Sequence, residues 1–224
     1  MERTAPIAGT AVIVGNGSSV DSAPESFWRR CIAGGTMLIG TNRVLCSRTL
    51  AHLPWDALVI RDTYRNLWHD QRWGAKYHQE LWKPCPAWKV GPACSRVTHC
   101  DQFLRFEDGW QAEAVFDCNG EAAVMTNPSV VLMAANWAWL QGARRIVLAG
   151  VDYGGGHLDM IEPYNVSTGL EGRYDAPRPS ACIEGAFARA AAAVAGLGGT
   201  LISVSHGTRL QAVEVVSWDD ALES

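Results

Sequence analysis

Ala11-Val-Ile-Val-Gly-Asn-Gly-Ser-Ser19 decides the fold of this chain. Four apolar residues that run straight into a Gly-rich turn read as a strand buried on both faces, as in a parallel sheet. A turn of this kind can present backbone N–H groups at the start of the next helix, which makes it a candidate anion site. Gly15 and Gly17 would allow φ > 0 or a close approach to a ligand, and Asn16, Ser18 and Ser19 add short hydrogen-bonding side chains. The same residues also suit an ordinary strand-to-helix turn. Neither GxGxxG nor GxxxxGK[ST] is present, so neither nucleotide fingerprint applies.

Outward from this stretch the pattern alternates. Pro24 to Ala33 reads as a short helix stopped by Gly34-Gly35, and Thr36 to Gly40 as a second strand that delivers Thr41, Asn42 and Arg43 to its end. Asn42 suits either ligand contact or a helix cap. Asp56 to Ile60 is a third strand ending in Arg61-Asp62. Phe103 to Phe106 and Glu113 to Cys118 suggest a hairpin around Asp108-Gly109. Asn127-Pro128-Ser129 opens a helix from Val130 to Gln141, with Asn127 as its expected cap; the helix is apolar nearly all round and therefore buried. Arg144 to Ala149 is a core strand leading to Gly150, Asp152, Tyr153 and the run Gly154-Gly155-Gly156. Ala181 to Leu197 is an Ala-rich helix, and Thr200 to Val204 the last strand expected, closed by the turn Ser205-His206-Gly207-Thr208. Successive β-α-β units predict one Rossmann-like α/β domain over residues 1–224, a mostly parallel sheet with helices on both faces. Binding groups then belong at the carboxyl ends of the strands.

Two segments interrupt this frame. Residues 61–105 hold Trp68, Trp73, Trp82 and Trp88, with eight basic and four acidic residues, a balance of +4 in a chain whose net charge is −4. Basic residues mixed with aromatics suit a surface for sugars, single-stranded nucleic acid or another anion. Tryptophans that cover the sheet, or that fill a contact between copies of the chain, explain the same composition. Residues 154–180 lack periodicity and are rich in turn residues, as a lid or binding loop would be. With no leader-like N-terminus and no apolar run long enough to span a bilayer, the chain is expected to be soluble and cytoplasmic, with its seven cysteines as free thiols. Cys85, Cys94, His99 and Cys100 are zinc-ligand types, but at loose spacing and without a CxxC pair.

The blocks Gly15-Asn-Gly-Ser-Ser19, Thr41-Asn42 and Gly142-Ala-Arg-Arg-Ile-Val-Leu-Ala-Gly-Val-Asp-Tyr153, with a Ser/Gly turn after the final strand, resemble the bacterial CMP-sialic acid-dependent sialyltransferases. They also resemble the related hydroxymethylpterin pyrophosphokinases. The resemblance covers about half the chain and implies nucleotide contacts for Asn16 and Asn42, and a donor-facing hydroxyl at Ser129. Two departures stand out: Tyr153 is one position away from the family's phosphate-binding tyrosines, and Arg178-Pro-Ser180 stands where the family carries its base histidine. Transfer from a nucleotide donor needs an anion grip, stabilisation of the leaving phosphate and a base for the acceptor hydroxyl. Gly15, Asn16, Gly17 and Ser18 are expected to supply the first, Tyr153, Arg173, Tyr174 and Arg178 the second, and Asp152 or His157 the third. The expected reaction moves a glycosyl-type group from a CMP-sugar or other nucleotide-sugar to a hydroxyl on a glycan, a pterin-like molecule or a nucleic-acid base. Pyrophosphoryl transfer from ATP is the alternative; it would need Mg²⁺ and acidic ligands such as Asp152 and Asp159. A nucleic-acid-associated module using the +4 segment is a third reading.

Overall fold

The computed structural model describes residues 9–61, 71–92, 99–104, 116, 129–154, 159–162, 164 and 181–223. Eight strands form one sheet in which every pairing is parallel: β1 (Thr10–Val14), β2 (Met37–Thr41), β3 (Ala57–Val59), β4 (Trp88–Pro92), β5 (Gln102–Leu104), β6 (Arg145–Ala149), β7 (Thr200–Ser203) and β8 (Glu214–Val215), in the order β5-β4-β3-β2-β1-β6-β7-β8. The chain winds one way from β1 to β5 and then returns to the far side of β1, so strand order reverses between β1 and β6. Their register, Thr10 beside Arg145 through Val14 beside Ala149, brings both strands to the same edge, where Gly15 and Gly150 follow.

Alternation along β1 explains why it reads as a continuous apolar run. Ala11 and Ile13 face one core and Val12 and Val14 the other, all without exposure. Helices α3 (Val130–Leu140) and α4 (Ala181–Gly196) pack on the first face. On the second lie α1 (Glu25–Ala33) and α2 (Gln71–Tyr77), which continues as a π-helical turn over His78–Trp82. The result is the expected α/β Rossmann-like architecture. Phe27 and Trp28 of α1 meet Trp218 of the C-terminal segment, with ring centroids 4.8 and 6.4 Å away, so that tail belongs to the core. No described helix is long and apolar enough to cross a membrane.

Several local expectations shift. α3 is capped by Ser129 rather than Asn127: the Ser129 hydroxyl accepts from Val131 N–H at 3.2 Å. Strands β4 and β8 escape the sequence reading. The described pairing of β5 is parallel, to β4, while Glu113 to Cys118, apart from Phe116, lies outside the described residues. In the Trp-rich segment Trp82 is buried, Trp73 packs on the same face of the sheet and Trp88 on the opposite one; Trp68 lies outside the described residues. Lys89 turns its ammonium inward, donating to the carbonyls of Cys85 (2.5 Å) and Ala87 (3.4 Å). Trp73, Trp82 and Trp88 thus pack against the sheet.

Candidate functional site at the carboxyl edge of the sheet

The loops leaving β1 and β6 are stitched together. Gly15 N–H donates to the Ala149 carbonyl at 2.7 Å and Gly17 N–H to the Gly150 carbonyl at 2.8 Å. A Cβ on Gly15 would run into the Gly150 carbonyl, and one on Gly17 would stand 2.6 Å from the carboxyl carbon of Asp152. Gly17 has φ −79° and ψ 149°, an extended conformation open to any residue, so glycine is needed there for the approach of two protein segments rather than for an unusual φ. Ser19 completes the join: its N–H donates to Asp152 Oδ2 at 2.9 Å and its hydroxyl to Oδ1. The amides of Gly15, Gly17 and Ser19, expected to grip a ligand's anion, therefore hold the protein's own carbonyls and carboxylate.

On its other side the β6 loop is fastened to the loop after β7. Ser205 Oγ accepts from Val151 N–H at 2.8 Å, Thr208 donates to the Val151 carbonyl at 2.7 Å, and Arg209 N–H donates to the Asp152 carbonyl at 2.8 Å. Asp152, 8% exposed, is thus the hub of three loops. Its neighbour Tyr153 takes a left-handed φ of 47°, and its ring stands edge-on to Phe187 of α4 with centroids 5.8 Å apart.

Asn16 links the β1 loop to the end of β2. Its Nδ2 donates to Thr41 Oγ1 at 3.5 Å, and its Oδ1 accepts from Arg43 N–H at 3.2 Å. Thr41, fully buried, donates its hydroxyl to the Val14 carbonyl at 2.8 Å. Asn42 adopts φ 46°, a conformation uncommon outside glycine and held by its surroundings. Its N–H donates to Val59 O at 3.0 Å, and its carbonyl accepts from the Tyr77 hydroxyl at 2.5 Å. Burial pushes the Tyr77 phenol well above its usual range and the Cys46 thiol up to about 12; the charge of buried Arg43 works against both shifts.

The structure thus gathers Gly15, Asn16, Gly17, Ser18, Asn42, Asp152 and Tyr153 at one edge of the sheet. Ser129, at the start of α3, lies on that edge as well, since α3 leads back to the amino end of β6, but its hydroxyl serves the helix cap. His157, Arg173, Tyr174 and Arg178 lie outside the described residues. Thr41, Arg43 and Thr208 reach the edge from the strand ends where the sequence places them, and Arg209 joins them without having been marked by any motif. The segment after β6 is docked where it is described: Met160 bridges Ser47, Arg48 N–H donates to the Asp159 carbonyl at 2.8 Å, and Ile161 N–H to that of Cys46 at 2.8 Å. Asp159 pairs with Arg48 at 2.8 Å, and buried Tyr164 donates to Glu80 at 2.9 Å.

Among the described residues no three His, Cys, Asp or Glu side chains are placed to hold a metal ion. Of the zinc-type cluster, Cys94 lies outside the described residues, and the His99 ring lies against that of His78, centroids 5.2 Å apart and planes tilted by 33°. No protein-family model, curated protein or solved structure matches the chain.

Proposed function

We propose that the chain is a nucleotide-dependent transferase that binds a nucleotide-sugar across the carboxyl edge of β1, β2 and β6 and moves its glycosyl-type group to a hydroxyl acceptor. The observation that carries this reading is the placement of Asn16 and Asn42 on the adjacent β1 and β2 loops, joined through Asn16 and Arg43 N–H, beside the β1/β6 reversal, the crevice where open α/β sheets take their ligands. The resemblance of the Gly-Asn-Gly and Thr-Asn blocks to sialyltransferases points the same way. In the reaction, a bond forms from the acceptor oxygen to the sugar's anomeric carbon as the bond to the nucleotide's phosphate oxygen breaks. The acceptor proton passes to a base, and the nucleotide leaves as an anion. Both carboxylate oxygens of Asp152 are engaged by Ser19, which suits a residue that positions the β1 loop and leaves His157 as the candidate base.

Calorimetric titration with CMP, a UDP-sugar and ATP, each with and without Mg²⁺, tests the reading. Metal-independent binding of CMP or the UDP-sugar is the expected result. Binding of ATP alone, and only with Mg²⁺, would replace glycosyl transfer by pyrophosphoryl transfer, and binding of none would remove the proposal.

A further inference from the structure

Gly154 opens a glycine run that suggests flexibility in the sequence, but the structure gives its first member a different task. A turn that needed glycine for its bend would place it at 153, where Tyr153 takes φ 47° instead. Gly154 adopts no such φ. What needs glycine there is Arg209: a Cβ at 154 would stand 2.5 Å from the guanidinium carbon and closer still to Nε and Cδ. The arginine side chain lies directly against the bare backbone of the β6 loop. Its own backbone is fixed by the N–H donated to the Asp152 carbonyl and by the Thr208 hydroxyl that binds the Val151 carbonyl. It is only half-buried. The Arg209 side chain therefore lies along the β6 loop beside the strand reversal, on a backbone anchored to Asp152.

We infer that Arg209 is the residue that meets the donor's phosphate, and that Gly154 is the specificity element that makes room for it. This rests on the nucleotide reading above. A planar guanidinium matches the geometry of phosphate oxygens, and Arg209 carries one to the β6 loop from an anchored backbone. Leaving-group stabilisation in a transferase needs a cation of this kind at a fixed position. The substrate class it selects is a donor with a phosphate or diphosphate rather than an uncharged nucleoside.

CMP and cytidine, titrated by calorimetry into wild type, Arg209→Gln, Gly154→Ala and the double variant, test the inference, with thermal melting as the check on folding. Arg209→Gln is expected to weaken CMP by about tenfold or more while cytidine stays within about twofold. Gly154→Ala should do the same by displacing the guanidinium, and the double variant should be no worse than either single one. An unchanged CMP-to-cytidine ratio, or losses that multiply in the double variant, would overturn the inference. Gly154→Ala keeps Arg209 in the chain and decides the matter if Arg209→Gln does not fold. Pyrophosphate separates the two proposals. If wild type binds pyrophosphate but not CMP, and Arg209→Gln binds neither, the arginine contact stands and the nucleotide reading falls. If CMP binds equally to wild type and Arg209→Gln, the nucleotide reading stands and the arginine assignment falls. Should wild type bind neither probe, both fall.

Discussion

Gly17→Ala isolates the join between the β1 and β6 loops. At φ −79° and ψ 149° an alanine fits the backbone without strain, and by restricting the unfolded chain it would stabilise the protein by about 0.4–1 kcal/mol if nothing else changed. The new methyl would, however, stand 2.6 Å from the Asp152 carboxyl carbon and 2.7 Å from the Gly150 carbonyl oxygen. Moving Asp152 aside alone does not help, because Gly150 is backbone. The two loops must part, and the Gly17–Gly150 bond at 2.8 Å and the Ser19–Asp152 pair stretch with them. A neutral bond contributes about 1 kcal/mol and a bond to a charged group about 1.5–3 kcal/mol, so partial loss of the set gives a net destabilisation of about 2–4 kcal/mol. For a chain of this length that lowers Tm by about 5–15 °C. Urea unfolding followed by tryptophan fluorescence reads it. Gly196→Ala, on the last residue of α4 with nothing within 4 Å of the added carbon, is the control and should gain about 0.5–1 kcal/mol. In an Asp152→Ala background the cost of Gly17→Ala should shrink by about 1 kcal/mol. A Gly17→Ala protein as stable as the Gly196→Ala control would refute the loop-approach argument.

Two other outcomes follow from the same structure. Ser129→Ala removes the cap of α3 and should cost about 1 kcal/mol, or about 2–4 °C in thermal melting, with nucleotide affinity within about twofold of wild type; a large loss of affinity at unchanged Tm would give the hydroxyl back to the donor. Burial raises the thiols of Cys31, Cys46 and Cys100 from 9.0 to about 12, so above pH 9 the unfolded chain releases protons that the folded chain keeps. Stability is therefore complete below pH 9 and falls as pH rises toward 12, and Cys46→Ala should flatten that slope in urea unfolding measured across the range. Native-state alkylation mapped by mass spectrometry should reach partly exposed Cys182 before Cys31 or Cys46.

The strands that the sequence reveals are those buried on both faces. Val12, Ile13 and Val14, or Ile146, Val147 and Leu148, have no polar face to blur the run. β4 hides because Lys89 sits inside it and Pro92 ends it, and the lysine is tolerated only because the carbonyls of Cys85 and Ala87 receive its ammonium. β8, two residues long and exposed, has no period to detect. The glycines of the first turn are conspicuous in the sequence, but their reason is not. Gly15 and Gly17 answer to Gly150 and Asp152, more than 130 positions away, and no local pattern distinguishes a loop that must admit a ligand from one that must admit another loop. The same holds for Arg209, whose partner glycine lies in a run that composition alone assigns to flexibility.

Under the proposed function a nucleotide occupies the carboxyl edge beside the β1/β6 reversal. Backbone amide chemical-shift mapping of the isotope-labelled protein, titrated with CMP, tests it most directly. The largest changes should cluster at Asn16, Asn42, Tyr153 and Arg209. Changes confined to the outer strands β5 and β8, or none at saturating CMP, would contradict it.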